Sequence, residues 1–213
     1  MNKISSPLFS IILIFFLFFQ INLSAQDFDY NVLKDLQNNR TTTGTDINQF
    51  ITKTSPYLSV GTPLIMFGVG LIEHNTDLRD KGLQVGVAVG ATIVETYVLK
   101  KVFNRPRPFI THPDLMPISL ETDASFPSGH TSAAFSLATS LSLNYPKWYV
   151  IAPSFIWAGA TGYSRLYLGV HYPTDVLAGA VLGAGTSWLA YEINKKFLRK
   201  RSVISYQPSA VYW

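Results

Sequence analysis

The sequence predicts an all-α protein, a helical bundle of five core helices that cross a membrane, preceded by an N-terminal signal or anchor helix. Three observations lead to this fold class. Charged residues make up only 14% of the 213 residues, whereas an average soluble domain has about 25%. Hydrophobic residues make up 47% and recur in runs of helical length. The chain has no cysteine, which excludes disulfides, thiolate metal sites and cysteine nucleophiles.

The same composition argues against two other classes of protein. A chain with so few charged residues is not intrinsically disordered. The net charge is +4, but the 17 Lys and Arg residues are scattered between apolar runs. They supply little to follow a phosphate backbone, so we expect no nucleic acid among the partners.

The first 25 residues have the pattern of a secretory signal peptide. After a basic start, Leu8 to Phe19 form an apolar core of twelve residues, and Ala25 is a small residue suited to cleavage. The alternative is an uncleaved anchor helix that runs to about Leu23. In both cases the chain that follows leaves the cytoplasm. The next segment, 26–55, is a polar lead-in that we expect to be loosely structured or amphipathic.

Four runs with almost no charged residue come next, and dividing the longest of them at 144–147 gives five helices. A helix of 18 residues rises ~27 Å, close to the hydrocarbon thickness of a bilayer. The runs are rich in small residues, which let membrane helices pack closely. The alternative is a soluble bundle of buried helices. The runs are Tyr57–Ile72, Gly82–Leu99 with Glu95, Ala124–Ser164 with Lys147, and Val176–Tyr191.

Basic residues are divided unevenly between the two ends of these helices. The segments 73–81, 145–147 and 195–201 hold eight Lys and Arg, whereas 104–125 and 164–175 hold three. The positive-inside rule places the first group of segments in the cytoplasm. We therefore expect a bacterial-type inner-membrane protein whose second group of loops faces the periplasm or outer side. A soluble periplasmic protein is the alternative.

The loops on the outer side carry three blocks of chemically unusual residues. In the first block, six residues separate Lys100 from the pair Arg107-Pro108. The second block is Pro-Ser-Gly-His at 127–130. In the third, Ser164-Arg165 is followed after five residues by His171 and after three more by Asp175.

Lys100, Arg107 and Arg165 are cations that converge on one membrane face, and the guanidinium fork suits phosphate oxygens. Ser128 is a suitable N-cap for the helix that follows, and the free backbone N–H groups at this helix start, which Ser128 and Gly129 mark, would bind an anion.

His130 would then lie in the first helical turn, beside the bound anion. Asp175 could reach the His171 ring, fix its tautomer and stabilise the imidazolium. Together these groups form a phosphoryl-transfer site that needs no metal, because cations can neutralise the developing charge. Taken singly, Lys100 could be an interfacial anchor and Asp175 an acid that complements a helix dipole.

The three blocks resemble the signature of the type 2 phosphatidic acid phosphatase (PAP2) family, which also includes bacterial acid phosphatases and vanadium haloperoxidases. The resemblance covers 100–175, extends into the last helix, and fills every signature position. The sequence of 162–179 resembles that of the membrane lipid-phosphatase branch of the family. On this basis we divide the chain into a signal peptide or anchor (1–25), a polar lead-in (26–55), a PAP2-like helical phosphatase domain (56–201) and a C-terminal tail (202–213).

The resemblance also implies a role for each residue. His171 would be the nucleophile that forms a phosphohistidine. The spacing of the residues alone supports His171 over His130 only through the nearby Asp175. Asp175 would orient His171, and His130 would protonate the leaving oxygen and then activate water. The phosphoryl oxygens would be held by Lys100, Arg107, Ser128, Gly129 and Arg165.

The function expected is a metal-independent phosphatase, without cofactor, acting on phosphate monoesters or diphosphates of lipids. Family substrates are undecaprenyl diphosphate, phosphatidylglycerol phosphate, phosphatidic acid and lipid A phosphate, and the sequence does not choose among them or indicate a protein partner. Alternatives are a soluble periplasmic acid phosphatase on small organic phosphates, a vanadate-dependent haloperoxidase, and a non-catalytic membrane protein. A head-group pocket would be built by polar residues of 104–125, unless these form an ordinary solvated loop: Arg105, His112, Asp114, Glu121 and Asp123.

Overall fold

The computed structural model describes residues 22–205, and every regular element in that range is an α-helix, as predicted. Residues 1–21 of the predicted signal or anchor helix and residues 206–213 of the tail lie outside the described residues. The helices are α1 (Asn22–Asn38), α2 (Thr42–Ile72), α3 (Thr76–Phe103), the single turn α4 (Pro108–Thr111), α5 (Gly129–Asn144), α6 (Trp148–Tyr167) and α7 (Pro173–Ser205).

Five long helices, α2, α3, α5, α6 and α7, form the core of the bundle, which confirms the predicted number. Polar side chains mark where two of them begin. Thr41 Oγ1 accepts a hydrogen bond from Gly44 N at the start of α2, and Asn75 Oδ1 accepts one from Leu78 N at the start of α3. Helix α3 ends at Asn104, whose φ of 42° lies in the left-handed region that Asn tolerates.

Helix α5 is central and packs against α2, α3, α6 and α7. Its contacts are small and polar: Ser136 Oγ lies 3.1 Å from Thr92 Oγ1 of α3 and 2.8 Å from Ser187 Oγ of α7. A side chain in place of Gly183 of α7 would collide with the carbonyl oxygen of Ser132. Small residues and short hydrogen-bonding side chains thus let the helices approach closely, as in membrane bundles.

The outward faces of the helices are apolar, with large exposed side chains such as Leu64, Val94 and Val181. Among the described residues, three segments are long and apolar enough to cross a membrane: Thr42–Ile72, Thr76–Thr111 and Pro173–Lys196. An apolar exterior around a polar, small-residue interior suits a bilayer rather than water. The chain is therefore a membrane protein.

Two connections, 104–128 and 168–172, meet at one end of the bundle. They are joined by a hydrogen bond from Ile118 N to Leu168 O of 3.0 Å. Helix α1 covers this end, because its Leu33 is buried against both connections. All three sequence blocks are brought to this end of the molecule.

Candidate active site

A cleft of about 420 Å³ opens where the two connections meet. Five of the eight predicted site residues line it, and Ser128, Arg165 and Asp175 are buried against that lining. The structure therefore brings together all eight residues of the three blocks. The lining consists of Lys100, Arg107, Gly129, His130 and His171, together with Leu120, Glu121, Thr122 and Asp123.

His171 lies in the second connection and is only 1% exposed. Its Nε2 is 3.4 Å from Nη1 of Arg107, and its Nδ1 is 3.5 Å from Oδ2 of Asp175. The second distance is longer than that of a normal hydrogen bond. Asp175 thus lies on the Nδ1 side of the ring, whereas Nε2 is the ring nitrogen beside Arg107.

Asp175 is fully buried in the first turn of α7. Its Oδ2 accepts hydrogen bonds from Ser125 Oγ and from Tyr172 N, the latter at 2.9 Å. Its Oδ1 accepts a bond of 2.7 Å from Arg105 Nη1. Donors from three directions fix the position of the carboxylate behind His171.

Arg107 follows α3 and is 2% exposed. Its Nη1 donates to Val170 O (2.7 Å), and its Nε donates to Asp123 O (2.9 Å). Its Nη2 lies 2.6 Å from Asp123 Oδ1 and 2.7 Å from Glu121 Oε2. The backbone carbonyl groups hold the guanidinium plane, while its outer edge faces carboxylates.

Arg165, near the end of α6, is 1% exposed. Its Nη1 donates to Thr52 Oγ1 of α2 at 2.8 Å, and its Nη2 pairs with Oε1 of Glu121. Glu121 therefore bridges Arg165 and Arg107 with its two oxygens. The carboxylate thus lies between the two guanidinium groups.

Lys100 completes the cationic group from the last turn of α3. Its Nζ lies 3.0 Å from Oδ2 of Asp123 and donates to Ala124 O. The connection between α3 and α5 thus supplies one carboxylate between the arginines and a second between Lys100 and Arg107.

Helix α5 begins at the cleft. Ser128 occupies the N-cap position, as predicted, but its Oγ bonds Thr131 Oγ1 at 2.9 Å instead of capping the helix. N–H groups in the first turn of a helix have no partner inside it. Those of Gly129 and His130 lie in the cleft lining, where they can serve an anion.

Burial and charge set the protonation states in the cleft. Burial lowers the pKa of His171 to about 4, and Asp175 only partly opposes the shift. His171 is consequently a neutral imidazole near pH 7. Burial would raise the pKa of Asp123, but hydrogen bonds from Lys100 and Arg107 lower it to about 2.

Both acidic residues of the cleft lining, Glu121 and Asp123, are paired with cations. In the part of the chain that the structure describes, no three His, Asp or Glu residues are grouped so as to hold a metal ion. The donors that face the cleft are suited to an anion.

Of the five polar residues predicted to build a head-group pocket, Glu121 and Asp123 line the cleft. The other three point elsewhere: Arg105 contacts Asp175, the His112 ring lies 4.8 Å from that of Tyr30, and Asp114 pairs with Lys34 at 2.7 Å. The predicted pocket is thus divided between the cleft and the contact with α1.

Sequence reasoning missed three polar residues that support the site: Asp29, Thr52 and Ser125. No motif marks them, and all three act through contacts that are distant in sequence. For Asp29, one signal was available, because it precedes Leu33 by one helical turn and shares its face.

Comparisons with known proteins agree on one family. The model of the PAP2 superfamily matches residues 81–199. Undecaprenyl-diphosphatase BcrC of Bacillus subtilis is 34% identical over 145 residues, which is 68% of this chain and 72% of that protein. Lipid A 4'-phosphatase of Bacteroides thetaiotaomicron is 42% identical over 71 residues, 33% of this chain and 32% of that protein. A transmembrane PAP2 type phosphatidylglycerolphosphate phosphatase from Bacillus subtilis has a similar solved structure, with a TM-score of 0.71 at 27% identity over 88% of this chain and 95% of that one.

Proposed function

This chain belongs to the PAP2 superfamily, and on that premise we propose that it is a metal-independent membrane phosphatase that hydrolyses lipid phosphate monoesters or diphosphates. The observation that carries the proposal is the meeting of a buried, neutral His171 with Arg107 and Arg165 in one cleft. A neutral imidazole is a nucleophile, and guanidinium groups bind phosphoryl oxygens.

Binding comes first. The phosphoryl oxygens would replace the carboxylate of Glu121 between Arg107 and Arg165 and would contact Lys100. The N–H groups of Gly129 and His130 would donate to the remaining phosphoryl oxygen at the start of α5, whereas the N–H of Ser128 already donates to Asp175 O. These donors stay in place as charge develops in the transition state, which is how a preorganised site lowers a barrier.

Phosphoryl transfer then proceeds in two balanced steps. In the first, the lone pair of His171 Nε2 forms an N–P bond while the bond from phosphorus to the leaving oxygen breaks. His130, as the imidazolium, would donate its proton to that oxygen. Burial and the nearby Arg165 lower the pKa of His130 in the free cleft, so the negative charge of the bound phosphoryl group must raise that pKa for this step. The imidazolium character that His171 gains is stabilised by the carboxylate of Asp175, 3.5 Å from Nδ1.

In the second step, His130 accepts a proton from water as the water oxygen attacks phosphorus. The N–P bond breaks, its electron pair returns to His171, and inorganic phosphate leaves. Both histidines are then in their starting protonation states, so the cycle needs no metal and no cofactor.

The relatives named above act on lipids, and three segments of this chain can cross a membrane. These observations support a lipid substrate over a small soluble phosphate. Undecaprenyl diphosphate, lipid A phosphate and phosphatidylglycerol phosphate are the substrates to compare. The uneven distribution of Lys and Arg supports an orientation in the inner membrane with the cleft facing the periplasm or outer side.

The test is phosphate release by the purified full chain, in detergent micelles with EDTA, from those three lipids and from a soluble ester such as p-nitrophenyl phosphate. We expect turnover of at least one lipid with a higher kcat/KM than the soluble ester. No release from any lipid phosphate would reject the function. A preference for the soluble ester would instead support the acid-phosphatase alternative.

A further inference from the structure

Asp29 is a fully buried carboxylate on α1, outside the 81–199 segment that matches the family. Its Oδ1 accepts a hydrogen bond of 3.1 Å from Thr174 N, and its Oδ2 accepts one of 2.6 Å from Thr174 Oγ1. Oδ2 also lies 3.0 Å from Nη2 of Arg105. Three polar or charged atoms therefore hold Asp29, two of them from Thr174 in the first turn of α7.

Arg105 connects this carboxylate to the reacting centre. One end of its guanidinium group contacts Asp29, while Nη1 donates to Asp175 Oδ1 at 2.7 Å. The guanidinium carbon lies 3.9 Å from the centre of the Tyr172 ring, which fixes the plane of the fork. Arg105 is thus shared between two buried carboxylates, and the second of them faces His171.

The charges explain why two carboxylates are needed. Arg105 and Asp175 alone would form an ion pair with no net charge, which would stabilise a positive His171 only weakly. With Asp29 added, the group of three carries a net charge of −1, available to a histidine that becomes positive on phosphorylation. Asp29 also holds the backbone of Thr174, the residue next to Asp175, so it acts on position as well as charge.

We propose that Asp29 is a positioning residue for phosphoryl transfer, acting through Arg105 on the carboxylate of Asp175. The inference rests on the proposed function of His171 as nucleophile. It assigns a role in catalysis to the helix that precedes the first core helix of the bundle.

A purely structural role for Asp29 would be to attach α1. Other contacts already do this: Leu33 is buried against the two connections, and Lys34 Nζ pairs with Asp114 at 2.7 Å. Helix α1 should therefore stay in place when the charge of Asp29 alone is removed.

The experiment compares Asp29→Asn with Asp35→Asn, an exposed residue of the same helix with the same change of charge. Both are measured in the full chain against a lipid phosphate, with rates expressed per folded protein. We expect Asp29→Asn to lower kcat roughly tenfold to hundredfold with KM unchanged, as for other small misplacements of catalytic groups. Asp35→Asn should stay within about twofold of the wild type.

A double variant separates positioning from attachment. In an Asp175→Asn background, adding Asp29→Asn should cost less than about threefold in kcat, because its effect passes through the missing carboxylate. Equal losses in both backgrounds, or a single variant no worse than Asp35→Asn, would overturn the inference. If Asp29→Asn does not fold, Asp29→Glu supports the same comparison.

Failure of the proposed function has a different signature. It would appear as no phosphate release by the wild type, or as full activity in His171→Ala, and the inference would fall with it. An active wild type that depends on His171 but not on Asp29 would remove only the role of Asp29.

Discussion

The carboxylate of Glu121 contacts the guanidinium group of Arg107, with Oε2 2.7 Å from Nη2, and its other oxygen pairs with Arg165. It occupies the position between the two arginines where a phosphoryl group would bind. Burial would raise the pKa of Glu121, but the two arginines lower it overall, so it is an ionised competitor for the anion site near pH 7.

Glu121→Gln should therefore strengthen anion binding. We expect the inhibition constant for inorganic phosphate to fall roughly threefold to tenfold, and thermal stability to fall as well, because two buried cations lose a counter-charge. Phosphate inhibition curves and thermal melts measure both effects. Glu73→Gln is the matched control, because Glu73 is exposed and directly follows the last residue of α2. Weaker phosphate inhibition in the Glu121 variant would show that the carboxylate assists binding instead.

His171→Ala should abolish lipid phosphate turnover, and His130→Ala should lower it by about 10²–10⁴, the usual contribution of a general acid and base. The losses should differ because, in the proposed mechanism, His171 forms the bond to phosphorus whereas His130 only transfers protons. Steady-state rates, with thermal melts to confirm folding, make the comparison. Near-wild-type turnover in His171→Ala would exclude the covalent mechanism.

The low pKa of His171 makes a prediction about stability. Its pKa is about 4 in the folded protein, against an ordinary 6.5, so the unfolded chain binds the proton more readily. The stability due to its neutral, buried state is complete above pH 6.5 and is lost as the pH falls toward 4. Thermal melts between these limits should show a larger fall in Tm for the wild type than for His171→Ala. Parallel curves would contradict the depressed pKa.

Vanadate should inhibit the enzyme, whereas EDTA should not. Vanadate adopts the five-coordinate geometry of the transferring phosphoryl group and would bind His171 between the arginines. Competition between vanadate and a lipid phosphate, measured with and without EDTA, tests both statements. Inactivation by EDTA that one divalent metal reverses would contradict a mechanism based on side-chain cations.

The orientation in the membrane can be tested with single cysteines, since the chain has none of its own. Thr122→Cys, on the exposed rim of the cleft, should react in intact cells with a thiol reagent that cannot cross the membrane. Ser202→Cys should react only after lysis. Labelling at 202 alone would reverse the proposed orientation, and labelling at both in a soluble fraction would refute the membrane assignment.

The motifs predicted the residues that meet in the cleft because each block lies at a helix end, and alternating helices bring those ends together. They could not predict which loop carboxylates turn inward. Glu121 and Asp114 look alike in the sequence, yet one bridges two arginines and the other pairs with Lys34 on α1. That difference depends on how the 104–128 connection folds, for which no periodic pattern exists.

The polar lead-in, 26–55, is a second segment whose structure the sequence did not predict in full. Its polar composition predicts a segment that is loosely structured or amphipathic. In the structure it contains α1 and the beginning of α2, since Leu33 is buried and Thr41 caps the second helix. Helix α1 is attached through scattered residues such as the buried Leu33 and Lys34, which pairs with Asp114, and neither stands out in a sequence of mixed polarity.

The hydrogen bond between Thr174 and Asp29 joins residues 145 positions apart, and Ser128 N donates to Asp175 O from the other side of the cleft. The last core helix therefore closes a site whose earlier parts have already been synthesised. On the ribosome, no working enzyme exists until α7 has entered the membrane and packed against α5. A nascent chain that ends before residue 171 carries Lys100, Arg107 and Arg165 but lacks His171 and Asp175, so we expect activity only once the bundle is complete.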